Sequence, residues 1–102
     1  MPTLKQILGF EPRVSPLSTM PFQLVASRKY SDCVDTTLRF GFRAKVLNTE
    51  IGDENLRVIG RMNPEEFPQL QQELPRSMPN ASIIEVSEET AEQYETHIEA
   101  HI

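Results

Sequence analysis

From Thr37 to Leu47 the chain alternates strictly, and that run constrains the fold more than any other stretch. Leu38, Phe40, Phe42, Ala44 and Val46 fall on one side, Arg39, Gly41, Arg43 and Lys45 on the other. A period of two with aromatic and β-branched members reads as a strand with one apolar and one basic face. Leu56, Val58, Gly60 and Met62 alternate with Arg57, Ile59 and Arg61 in the same manner. Residues 48–54 contain Gly52-Asp53 and read as the turn between them, so the two runs are expected to pair as an antiparallel hairpin.

Other elements follow from caps and spacing. Phe22 to Ala26 fits either a strand or the start of a helix and is taken as a strand, and Arg28 to Asp35 reads as turn chemistry. Asn63-Pro64-Glu65-Glu66 has the form of a helix start, with Asn as cap, Pro at the first helical position and Glu three residues on. Phe67, Leu70, Leu74 and Met78 follow at helical spacing, and Pro75 and Pro79 are expected to stop that helix. Ser82 to Val86 is a short apolar strand. Thr90-Ala91-Glu92-Gln93 opens a last helix whose inward stripe is Ala91, Tyr94 and Ile98. At the other end, Thr3-Leu4-Lys5-Gln6 predicts a short helix over 3–8 with Gly9 as its stop, and Glu11 to Pro21 reads as an irregular arm.

The expected fold class is therefore α+β. It comprises a three- or four-stranded, mostly antiparallel sheet with two helices on one face, in a ferredoxin-like or related split βαβ layout. Residues 1–21 form the short helix and Pro-rich arm, and residues 22–102 a single domain. The 102 residues, 38% of them apolar, suffice for one core. Cys33 is the only cysteine, which excludes an internal disulfide. With no apolar run near the ~20 residues of a membrane span and no leader-like start, a cytoplasmic protein is expected.

The net charge of −5 is unevenly spread. Residues 1–47 hold seven Lys/Arg against three acids, and residues 48–102 three Arg against twelve acids. Such a division marks either a surface made for a partner or two halves that attract each other. Arg39, Arg43, Lys45, Arg57 and Arg61 are expected together on the open sheet face, where they would attract phosphate or carboxylates. Leu4, Ile7, Leu8 and Phe10 form a candidate docking element at the N-terminus.

Catalytic equipment is sparse. Cys33 lies between Asp32 and Asp35, charges that disfavour a thiolate, and reads as a small semi-buried hydrophobe. His97 and His101 are four apart but lack a third ligand at a defined spacing, so no metal site is assigned. The glycines are scattered singly, without a phosphate loop, and no cofactor is implied. Arg39-Phe40-Gly41-Phe42 differs from the aromatic strand of RNA-recognition modules, because its aromatics share the face expected to be core. Arg61-Met62-Asn63 entering a helix, then an Ile-Ile strand, is similar to the small linker domain of phycobilisome rods over those few residues alone, and no function is carried across.

The sequence thus points to a non-enzymatic adaptor or regulatory module that binds another protein or a second copy of itself, without a membrane. The alternative is a nucleic-acid-associated domain that holds phosphates through the basic hairpin face.

Overall fold

Phe22, Leu24 and Ala26 alternate with Gln23, Val25 and Ser27, and this period of two builds the central strand β1, Met20–Ser27. The computed structural model describes residues 13–100, with side chains to Glu95. After β1 the chain makes a 3-10 turn (Arg28–Tyr30) and a short helix α1 (Ser31–Thr36) that runs into a π-helical turn (Thr37–Gly41). Strands β2 (Lys45–Ile51) and β3 (Asn55–Met62) form a hairpin closed by Gly52 N–H on the Asn55 carbonyl at 2.8 Å. Helix α2 (Phe67–Ser77), strand β4 (Ser82–Glu85) and helix α3 (Glu88–Ala100) complete the order.

The four strands lie in the order β2-β3-β1-β4, and every adjacent pair is antiparallel. The register puts Phe22 opposite Gly60, Leu24 opposite Val58 and Ile83, and Ala26 opposite Leu56. This is the core face of the sheet. It packs on Val34 of α1, Leu38 of the π turn and Leu70 and Leu74 of α2, all nearly without exposure. Phe67, Leu70, Leu74 and Met78 thus act as their helical spacing predicts.

Several expectations need correction. Thr37–Gly41 is helical, and the strand starts only at Lys45. Val34, Leu38 and Phe42 are buried four apart, whereas Phe40 is half exposed. The physical pattern is a helical stripe (i, i+4, i+8) that happens to share Leu38 and Phe42 with an alternating run. The turn between the two alternating runs is shorter than residues 48–54, because Asn48 to Ile51 belong to β2. Asn63 caps a turn ahead of α2, its side-chain oxygen accepting Glu65 N–H at 3.0 Å, and the helix itself begins at Phe67. Pro68 falls in that first turn, where its missing N–H costs nothing, and Pro75 is carried inside the helix instead of ending it. Ser87, not Thr90, caps α3: Thr90 N–H donates to Ser87 Oγ at 3.3 Å. Cys33 is exposed rather than semi-buried.

The helices do not share one face. α1 and α2 cover the core face, while α3 reaches β1, β2 and β3 from the opposite side. Of the N-terminal arm, residues 13–19 are described and are tied to the domain. Ser15 N–H (2.9 Å) and Ser18 Oγ (3.0 Å) both donate to the Arg43 carbonyl. The predicted helix 3–8 and Leu4, Ile7, Leu8 and Phe10 lie outside the described residues.

Candidate functional site

Strand parity settles what stands on the second sheet face. Opposite the core residues of β3 point Arg57, Ile59 and Arg61, paired across to Glu50, Asn48 and Lys45 of β2 and to Val25, Gln23 and Pro21 of β1. The β2 register slips between Val46 and Asn48, a bulge that leaves Leu47 as the extra residue. Leu47 and Ile59 are buried, yet neither belongs to the main core cluster. Ala91 of α3 is likewise fully buried outside that cluster. A second, smaller apolar layer therefore lies between α3 and the sheet.

Charges frame this layer. Glu88, Ala91 and Glu95 fall at i, i+3 and i+7, one stripe of α3. Arg61 Nη2 meets Glu95 Oε1 at 3.0 Å and its Nη1 meets Glu88 Oε2 at 2.8 Å. The same Nη1 donates to the Thr19 carbonyl at 2.9 Å. Lys45 Nζ reaches the other Glu95 oxygen at 3.3 Å. The Arg61 side chain is only 14% exposed and that of Glu95 25%, so this pair is shielded where most surface pairs are not.

The geometry shifts both groups toward their charged forms. The hydrogen bond from Arg61 holds the Glu95 carboxyl below its ordinary range; partial desolvation opposes this and Lys45 adds to it. The hydrogen bond to Glu95 raises the Arg61 pKa, against desolvation and with help from Glu88. Arg61 stays charged throughout the accessible range, so the pH dependence belongs to Glu95. A carboxylate whose folded pKa is depressed stabilises the folded form fully above its unfolded pKa, and loses that contribution as pH falls through the folded value. Docking of α3 is therefore expected to weaken at acid pH, below the ordinary glutamate range. A fluorescence label on α3 followed through an acid titration checks this, and in Glu95→Gln this acid-dependent loss should be diminished.

The five predicted cations are not brought together. Lys45, Arg57 and Arg61 share the second face. Arg57 is paired with Glu50. Arg39 sits on the helical turn, where its Nε donates to Asp35 at 2.7 Å. Arg43 lies in the loop before β2 with a φ of 53°, its Nε donating to the Arg13 carbonyl at 3.3 Å. The expected open basic surface is corrected accordingly: Arg39 and Arg43 stand off the sheet face, and Lys45, Arg57 and Arg61 are each paired with a carboxylate, only the Lys45–Glu95 pair joining the basic half to the acidic one. Of the expected inward stripe Ala91, Tyr94 and Ile98, Ala91 is buried, but the side of α3 that meets the sheet also carries Glu88 and Glu95, which the spacing places on its outer faces.

On the core side, a small apolar cleft, open at its mouth, is lined by Val34, Leu38, Val46, Leu56 and Val58. Asp35 at its edge is engaged by Arg39. Among the described residues no group of three or more His, Cys, Asp and Glu is placed to hold a metal ion, and no helix is long and apolar enough to cross a membrane. His97 and His101 fall outside the described side chains. No protein-family model, curated protein or solved structure matches this chain.

Proposed function

We propose that the chain is a small non-enzymatic protein-binding module, an adaptor or regulatory domain, whose contact surface is the second sheet face together with α3. The strand order β2-β3-β1-β4, with α1 and α2 as its crossovers, supports a ferredoxin-like split βαβ layout in which that face is the one free of crossover helices.

One observation carries the reading: an apolar layer of Leu47, Ile59 and Ala91 rimmed by Arg61, Lys45, Glu88 and Glu95 has the anatomy of a protein–protein contact, made here within one chain. Phosphate binding is the weaker reading, since Arg39, Lys45, Arg57 and Arg61 each have a carboxylate partner. The test is affinity purification of the tagged full chain with cross-linking. Reproducible protein adducts that map to β2, β3 or α3 and diminish in Arg61→Glu are expected. Absence of any reproducible protein partner, or a gel shift with nucleic acid at low salt, would count against it.

A further inference from the structure

We infer that the sheet face beneath α3 is a binding site for an acidic amphipathic helix of a partner protein, and that α3 is the tethered competitor that fills it. This rests on the protein-binding reading above and adds the chemistry of the partner and the regulation of the site.

The occupant is read from what is already seated there. Removing α3 would uncover Leu47 and Ile59, now buried, flanked by the cations of Arg61 and Lys45. An apolar centre with cations on one side matches a helix that carries small or apolar residues on one stripe and carboxylates at its edge. α3 supplies that pattern with Ala91 between Glu88 and Glu95. Its polar back, Glu89, Glu92 and Gln93, is exposed and takes no part in the seat.

The attachment is built to be exchanged. Only Val86 and Ser87 join β4 to α3, and Val86 N–H is pinned to the Pro21 carbonyl at 3.1 Å. The helix can therefore leave by rotation about Ser87 without disturbing β4. A tether this short gives α3 an effective concentration in the millimolar range or above. A partner helix of equal intrinsic strength cannot displace it at cellular concentrations. An effective partner must bring more apolar surface or more carboxylates, or act when the latch has been weakened.

The experiment uses the full chain and a labelled synthetic peptide of residues 87–100 as the probe, read by fluorescence anisotropy. Glu88→Lys/Glu95→Lys turns the latch repulsive towards Arg61 and Lys45, and the milder Glu88→Gln/Glu95→Gln serves if the first does not fold. The peptide is expected to bind the opened chain about tenfold more tightly than the wild type, and Arg61→Ala in the opened chain should remove the gain. Equal peptide binding to the opened, folded chain and the wild type would overturn the inference. So would a shift of the opened chain to a dimer that excludes peptide, which would assign the face to a second copy. If the peptide fails while cross-linked proteins still map to this face, only the helical partner is refuted; if both fail, the protein-binding reading goes too.

Discussion

Gly60→Val is expected to leave the chain unfolded at room temperature, and Gly60→Ala to cost about 3 kcal/mol. Gly60 lies on the core face of β3, opposite Phe22 on one side and Val46 on the other. The bulge in β2 brings the Lys45 carbonyl over it, and the Phe22 ring closes from the other side. A Cβ at this position would run into the Lys45 carbonyl oxygen and come within 3.0 Å of the Phe22 ring. The ring could tilt away, but the carbonyl belongs to a paired strand and cannot. Gly60→Ala combined with Phe22→Leu should therefore be no more stable than Gly60→Ala alone. Guanidinium denaturation midpoints check this, and rescue by the double change would show that the backbone contact is not the obstacle.

Phe22→Ala should cost about 3–5 kcal/mol, a large share of the ~5–15 kcal/mol that holds a domain of this size. Phe22 has no exposed surface and stands on the central strand, between β3 and β4. The core residues flanking it, Leu24, Val58, Met62 and Ile83, are held by the sheet register and cannot collapse into the space left behind. The loss should appear as a lower thermal midpoint at unchanged secondary structure below it. A loss under about 1 kcal/mol would mean that the core face is packed differently from this description.

The core side of β3 and the inward stripe of α2 were legible because their apolar residues keep a single period, whereas β1, covered on both faces, fitted a strand or a helix start equally well. The stretch 37–47 misled for a physical reason. Leu38 and Phe42 satisfy both a strand and a helical period, and only Phe40, half exposed, separates the two. Val34 four residues earlier was the signal for the helix, but the turn-like residues around Cys33 hid it. At the candidate site, the basic side of β3 with Arg61 and the inward position of Ala91 on α3 could both be read from the chain. Their union could not, since nothing local says on which side of a sheet a terminal helix will lie. The bulge at Leu47, which supplies one of the three residues of the second apolar layer, left no mark in the alternation at all.

Hydrogen exchange of the α3 amides from Glu92 to Glu95, in the wild type and in Arg61→Ala, bears most directly on the docked helix. Protection well above that of the free peptide is expected in the wild type, with a drop of about tenfold in the variant while β1 and β3 exchange as before. Amides of α3 that exchange at the free-peptide rate in the wild type, indifferent to Arg61, would contradict the covered sheet face.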